Sequence, residues 1–227
     1  MHFEILVEDQ SGKVLLDAVV QSLILNRHTF KVHAYKGIGR IPKDLLGKAD
    51  PAKRILLNLL PKLLQGYGKV FSSYPRNFPA CVIVVCDLDN KCQKEFRSQL
   101  QDTLKQCNPM PDARFCFAIE EGEAWLLGDP EAVKMAYPRA KEAILAAYEY
   151  DAICGTWETL ADAVFPGGSR TLAAKGWRAV GEEKSAWAKN ITPHMNLLNN
   201  RSPSFAYFIK TLQDSKADTD TAGIVSD

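Results

Sequence analysis

The chain has 227 residues, 46% of them hydrophobic, so it can bury a substantial core in one domain or in one domain with a smaller lobe. Its 28 Lys and Arg residues nearly balance 27 Asp and Glu residues, so the composition gives no overall sign of a nucleic-acid or membrane partner. The six cysteines form no C-x-x-C pair and the four histidines are scattered, which argues against structural zinc.

The first ten residues, MHFEILVEDQ, carry an acidic residue at position 4 and lack the apolar run of a signal peptide. No segment reaches transmembrane length, so we expect a soluble, cytoplasmic protein. Residues 3–7 are β-prone and predict a first strand. Apolar spacings of three and four over residues 12–25 predict a helix after it.

The next segments continue this alternation of strand and helix. Residues 29–35 alternate between apolar and polar side chains and predict a second strand. A long basic connection follows, and residues 52–65 then have a helical pattern, with a kink or break expected at Pro61. Residues 80–86, ACVIVVC, are apolar on both faces, as a central parallel strand requires.

A helix over residues 91–106, a strand over 114–119 and a helix at EGEAWLL complete the alternation. Residues 1–129 are therefore predicted to form an α/β domain, with a mostly parallel central sheet and helices on both faces. Residues 130–213 predict a helical C-terminal lobe packed on that domain. The polar segment 214–227 predicts a flexible tail.

Carboxylates follow three of the predicted strands. Glu8 follows the first, Asp87 and Asp89 follow the third, and Glu121 and Glu123 come just after the fourth. Ligand sites in open parallel sheets lie beyond the carboxyl ends of the strands, where the strand order reverses. If the first and third strands are neighbours, these carboxylates converge. Such a cluster must either protonate or bind a hard cation such as Mg²⁺ or Mn²⁺.

Structural roles would also account for acidic residues at these positions. Asp89 or Asn90 could cap the helix that follows. Glu120, Glu121 and Glu123 could interact with the N-terminal dipole of the next helix. A single Glu after a strand is usually a solvated loop residue, so the coincidence at three strand ends is what favours a metal site.

Two segments resemble the motifs of Toprim-like proteins. ILVEDQSGKVLLDAVV resembles their first motif, a strand that ends in a glutamate and is followed by a helix. VIVVCDLDN resembles their D-x-D motif.

A third segment is more specific. FAIEEGEAWLLGD resembles the E-x-E-A-W-L-L-x-D signature of a bacterial Toprim-like family of unknown function, domain-of-unknown-function family 4276. WETLADAVFP and NRSPSFAYFIKTL resemble the C-terminal helical part of that family. The similarity extends from about residue 3 to about residue 213.

The resemblance implies a Toprim-like three-layer fold with a divalent-metal site, related to nucleases of the overcoming-lysogenization-defect type. In those proteins the first-motif glutamate acts in acid/base or metal chemistry, a role that would fall on Glu8. The D-x-D motif binds Mg²⁺, a role that would fall on Asp87 and Asp89. The acidic positions of the family signature are Glu121, Glu123 and Asp129.

The resemblance also implies a partner. Genes of this family often lie beside an ATPase of the ABC/AAA type, in loci that resemble antiphage defence systems. One departure concerns the first motif, which usually reads E-G, whereas here Glu8 is followed by Asp9. A second is Gly12, which replaces an acidic or polar residue. The usual glycine lets the backbone approach an ion or a phosphate closely.

Basic residues in the connection after the second strand, among them Lys36, Arg40 and Lys43, could neutralise the phosphates of a nucleic acid. A solvated loop is the alternative. Trp125, which follows the acidic signature, is expected to lie in the core.

The leading hypothesis is a metal-dependent nuclease with Glu8, Asp87 and Asp89 as catalytic residues. One alternative is a haloacid-dehalogenase-like phosphatase, since DLDNK comes close to D-x-D-x-[TV], although the Thr is missing. The other is a non-catalytic partner or regulator of the ATPase, suggested by the altered first motif. The sequence leaves open whether the chain forms homo-oligomers.

Overall fold

A computed structural model describes residues 1–24, 28–42, 50–152 and 155–222, with side chains up to residue 215. Its four strands are β1 (His2–Val7), β2 (Thr29–Ala34), β3 (Ala80–Asp87) and β4 (Ala113–Ala118). They form one sheet in the order β2-β1-β3-β4, and all neighbouring strands are parallel. The first and third strands are therefore neighbours, which is the condition for the strand-end carboxylates to converge.

In the described part of the chain, three α-helices connect the strands, and the other α-helices follow β4. The connecting helices are α1 (Gln10–Leu23), α2 (Leu56–Phe71) and α3 (Gln93–Lys105). The later helices are α4 (Glu123–Leu127), α5 (Pro130–Ala136), α6 (Glu142–Ala147), α7 (Thr156–Val164), α8 (Gly168–Ala173), α9 (Trp177–Ile191) and α10 (Pro203–Ala222). Among the described residues, none of these helices combines the length and the hydropathy needed to cross a bilayer.

The sheet buries both of its faces because successive strand residues point to opposite sides. Phe3, Ile5 and Val7 share a core with residues of α1, α9 and α10. Leu6 and Val84 share the other core with residues of α2 and α3. The sheet is thus the middle layer of three, which confirms the predicted α/β class.

Two boundaries differ from the sequence-based expectations. Pro61 lies inside α2 and does not end it, because the helix buries an apolar face that includes Leu60 and Leu64. Burial of that face offsets the roughly 3 kcal/mol that an internal proline costs a helix. At the C-terminus, α10 continues to Ala222, into the segment expected to be a flexible tail.

The C-terminal helices pack onto the sheet domain through aromatic side chains. Trp125 is 1% exposed, and its ring centroid lies 5.3 Å from those of Phe205 and Phe208 of α10. Its indole N–H donates a hydrogen bond to Ser204 Oγ at 2.9 Å. The expected core position of Trp125 is confirmed, and the core on this side of the sheet is continuous with the C-terminal helices.

We expect Phe205→Ala to lower the free energy of unfolding by about 3–5 kcal/mol, because it opens a cavity in this shared core. Urea denaturation followed by circular dichroism and by tryptophan fluorescence should show one transition with both probes. Leu198→Ala is the control, since Leu198 is 75% exposed. Its effect should stay within about 0.5 kcal/mol. Two separate transitions would contradict a shared core.

Candidate functional site

The candidate site lies where the strand order reverses. From β1 the chain passes to β2 on one side and then crosses to β3 on the other, so a crevice opens beyond the carboxyl ends of β1 and β3. Glu8 is the first residue after β1, and Asp87 is the last residue of β3. The sheet therefore places two of the three predicted catalytic carboxyls at the same crevice.

Both carboxyls resist ionisation at this position. Burial raises the pKa of Glu8 to about 7, and the charges of Asp89 and Asp9 add to the increase. Burial also raises the pKa of Asp87 well above its ordinary value, and the charge of Glu8 is the next largest cause. Glu8 Oε2 is buried and has no hydrogen-bond partner among the described residues. Both pKa values stay raised even though nearby lysines act to lower them.

Asp89 lies on the loop between β3 and α3. It has a positive φ of 49°, and its backbone N–H donates to the Glu120 carbonyl at 3.0 Å. This bond connects the D-x-D loop to the end of β4. The Asp89 carboxylate pairs closely with Lys91. The N-cap of α3 is Cys92, so neither Asp89 nor Asn90 caps that helix.

Glu121 and Glu123 pair with a lysine that the sequence analysis missed. Lys184 Nζ of α9 lies 3.0 Å from Glu123 Oε2 and 3.5 Å from Glu121 Oε2. Burial lowers the pKa of Lys184, but the charges of Glu123, Glu121, Asp87 and Asp9 outweigh it and raise the pKa above its ordinary value. The lysine therefore stays protonated and faces both groups of carboxyls.

Burial raises the pKa of Glu121 to about 7 even though Lys184 acts to lower it. Burial likewise raises the pKa of Glu123, again against Lys184. The lysine thus compensates the cost of burying these two carboxyls only in part.

The five predicted metal ligands therefore fall into two groups. Glu121 and Glu123 have the Lys184 ammonium as their counter-charge. Glu8, Asp87 and Asp89 surround the crevice, and the unpartnered Glu8 Oε2 and the raised pKa values fit a cation there. Within the described ranges, no three Asp, Glu, His or Cys side chains are close enough together to form a ready-made metal cluster.

Two other acidic residues of the motif segment have structural roles. Glu120 accepts hydrogen bonds from the backbone N–H groups of Gly155 and Thr156, at 3.0 and 2.9 Å, and so caps α7. Asp129 caps α5 by accepting from the Ala132 N–H at 3.1 Å, and it also accepts from the Asn196 N–H at 2.7 Å. Their carboxylates point at helix and loop donors, as capping residues do.

The unusual first motif has a local explanation. Asp9 is the N-cap of α1, and its carboxylate accepts from the Gly12 N–H and from Ser11 Oγ, both at 2.7 Å. Its φ of −144° is extended, so this position does not require glycine. Gly12 is needed instead, because a Cβ there would lie 2.6 Å from Val7 Cγ2. The glycine lets α1 begin directly against β1.

Two of the three predicted phosphate-binding residues lie at the same edge of the sheet. Lys36 and Arg40 follow β2, the strand next to β1, and both are exposed. The Lys36 N–H donates to the Arg54 carbonyl at 2.8 Å, and the Arg40 N–H donates to Asn58 Oδ1 at 3.0 Å. Lys43, the third predicted residue, lies outside the described residues.

One sequence signal could have identified Lys184. Val180, Trp187 and Ile191 are buried at helical spacing on α9, and Lys184 falls on the same face. A lysine on an apolar helix face is rarely buried without an acidic partner. The identity of that partner, 63 residues earlier, is not visible in any local pattern.

Asp87→Asn should raise the free energy of unfolding by at least about 1 kcal/mol at pH 8, because it removes one of the mutually repelling charges. Thermal unfolding without divalent ions measures the change. The matched control is Asp102→Asn on α3, where the carboxylate is 59% exposed and pairs with Lys105. A stability loss in Asp87→Asn would contradict the repulsion.

The raised pKa values of Glu8 and Glu121 make the stability of the fold depend on pH. Folded Glu8 and Glu121 release their protons near pH 7, against an ordinary value of 4.5. The folded state therefore binds more protons between these values, and these two carboxyls lower the stability as the pH rises from about 4.5 to about 7. The decrease should be smaller in Glu8→Gln, and urea denaturation across this pH range measures it.

Lys184→Met should cost about 3–5 kcal/mol at pH 8, because it leaves Glu121 and Glu123 buried without a counter-charge. The cost should shrink at pH 5, because Glu121, whose pKa is raised to about 7, is then protonated. Lys105→Met is the control, since its ion pair is exposed and should contribute less than about 1 kcal/mol. An equal cost at both pH values would show that packing, and not charge, explains the role of Lys184.

The comparisons with known proteins identify a family without assigning an activity. The family model described as "Domain of unknown function (DUF4276)" matches residues 7–213. No curated protein and no solved structure matches the chain significantly. The matched segment includes Glu8, Asp87 and Lys184. The chain therefore belongs to the DUF4276 family of domains of unknown function.

Proposed function

We propose that the chain is a divalent-metal-dependent nuclease of the Toprim type, which hydrolyses phosphodiester bonds with Mg²⁺ or Mn²⁺. The main support is the half-buried pair Glu8 and Asp87 at the β1–β3 crevice, with raised pKa values and a buried, unpartnered Glu8 oxygen. Buried carboxyls that repel each other are what a hard cation stabilises. The resemblance of the two strand-end motifs to Toprim motifs supports the same assignment.

Glu8, Asp87 and Asp89 are the residues that would hold the ion, which when bound supplies a Lewis acid and lowers the pKa of a water. Glu8 Oε2 is the proposed acceptor of a proton from the attacking water, since it has no hydrogen-bond partner in the described part of the chain. Lys184, protonated and near Asp87, offers positive charge to a phosphate in the crevice.

The same proposal includes partners. Lys36 and Arg40, exposed at the same sheet edge, would contact phosphates of the nucleic acid. The resemblance of the sequence motifs supports an ATPase of the ABC/AAA type as a protein partner, and a role as the effector of an antiphage defence system.

A second candidate is a non-catalytic partner of that ATPase. The observation that favours it is Lys184, whose ammonium already neutralises part of the carboxylate group. A protein in which lysine serves as the resident cation would keep the Toprim-like scaffold without binding metal ions.

Cleavage of fluorescent DNA and RNA oligonucleotides in Mg²⁺ or Mn²⁺ tests the nuclease. EDTA should abolish cleavage, and Glu8→Gln and Asp87→Asn should each slow it by at least about 100-fold. Asp102→Asn, exposed on α3, should cleave like wild type. Unchanged cleavage by Asp87→Asn would refute the assignment of the site.

Calorimetric titration with Mn²⁺ separates the two candidates. The nuclease should bind Mn²⁺ in wild type and lose that binding in Asp87→Asn. No heat of binding, together with stable co-purification of a neighbouring ATPase, would instead support the non-catalytic role.

A further inference from the structure

One tryptophan lies almost entirely in solvent. Trp177 is 80% exposed, whereas Trp125, Trp157 and Trp187 are at most 8% exposed. It is the first residue of α9 and follows Gly176, whose φ is 89°. An indole ring exposed to water at the start of a helix leaves a large apolar area uncovered, which is typical of a residue that contacts a ligand.

Three basic residues lie near Trp177 in the sequence. Arg170, Lys175 and Arg178 are all exposed, on α8 and at the start of α9. Lys175 Nζ lies 4.8 Å above the ring of Phe165, and Arg178 Nε lies 2.9 Å from a Glu182 oxygen. Exposed residues between Arg170 and Arg178 therefore combine an aromatic ring with basic side chains, one of which pairs with Glu182. We call Arg170, Lys175, Trp177 and Arg178 the tryptophan patch.

The tryptophan patch lies beside the carboxylate crevice. Trp177 and Lys184 are seven residues apart on α9, which places them on the same helix face and about 10 Å apart along the axis. The ring of Trp177 also lies 6.3 Å from that of Trp157 on α7. The next residue of α7, Glu158, is close enough to Glu121 for its charge to raise the pKa of that carboxyl.

We propose that the tryptophan patch binds single-stranded nucleic acid, with a base stacked on Trp177 and neighbouring phosphates on Arg170 and Lys175. An exposed ring can accept only a base whose face is free, and the bases of a duplex are already stacked. A protein-binding hot spot would instead have few charges at its centre. This inference rests on the proposed nuclease function and specifies its substrate class.

Binding is tested in EDTA, where a metal-dependent nuclease cannot cleave. Unlabelled DNA and RNA single strands of about twelve nucleotides should quench the fluorescence of the exposed Trp177, and the corresponding duplexes should quench it less. Trp177→Ala should weaken single-strand binding by about 5- to 150-fold, measured by the polarisation of a labelled strand. Trp177→Phe, which keeps an aromatic ring, should bind single strands with an affinity between those of wild type and Trp177→Ala.

The salt dependence of binding tests the basic residues of the tryptophan patch. The plot of log affinity against log salt has a negative slope, and Arg170→Glu and Lys175→Glu should each make it less steep by about 0.7 or more. The matched controls lie at the opposite edge of the sheet. Met110→Ala removes a 60% exposed apolar side chain just before β4, and Lys69→Glu reverses an exposed charge in the last turn of α2. Neither control should change affinity or slope.

The outcomes separate this inference from the nuclease proposal. Unchanged binding by Trp177→Ala, or equal binding of duplex and single strand, overturns the inference even if wild type cleaves. Quenching by single strands together with weaker binding by Trp177→Ala supports it even if no cleavage is found. If no nucleic acid binds, the inference fails, and capture of the ATPase through Trp177 would identify the patch as a protein interface.

Discussion

Burial of carboxyls at the end of a parallel sheet, together with the negative charge of their neighbours, determines the electrostatics of the candidate site. The strand order β2-β1-β3-β4 brings the residue after β1 beside the end of β3, so Glu8 and Asp87 meet in a buried crevice. Burial raises both pKa values, and neighbouring negative charge adds to the increase: that of Asp89 and Asp9 at Glu8, and that of Glu8 at Asp87. The two hydrophobic cores, one on each face of the sheet, provide the stability that holds these groups together.

Hydrogen-bond donors compensate the burial of other carboxyls in the chain. Burial alone would raise the pKa of Glu4, yet hydrogen bonds from His2 and His33 outweigh it and lower that pKa to about 2. Glu120 and Asp129 are satisfied by backbone N–H donors at helix starts. The difference between a structural acid and a candidate ligand is thus the presence of donors, and Glu8 Oε2 has none among the described residues.

The C-terminal helices complete the site as well as the fold. Helix α9 packs against α1, whose first turn begins directly after Glu8. This packing brings Lys184 close to Glu121 and Glu123, whose burial it compensates in part, and its charge also acts on Asp87. The same helix carries the exposed Trp177 two turns earlier. Helix α9 therefore carries both the lysine that faces the carboxyls and the tryptophan at which we propose that substrate binds.

The sequence by itself determined the four strands, the α/β class, the core position of Trp125 and the placement of Glu8 and Asp87 at strand ends. These features are visible because hydrophobic periodicity and strand-end positions are local properties of the chain. Only the tertiary structure decided that Pro61 stays inside a helix, that Glu120 caps α7, and that Lys184 faces the carboxyls. Those outcomes depend on burial and ion pairing between segments as much as 63 residues apart, and no local pattern encodes which distant group becomes the partner.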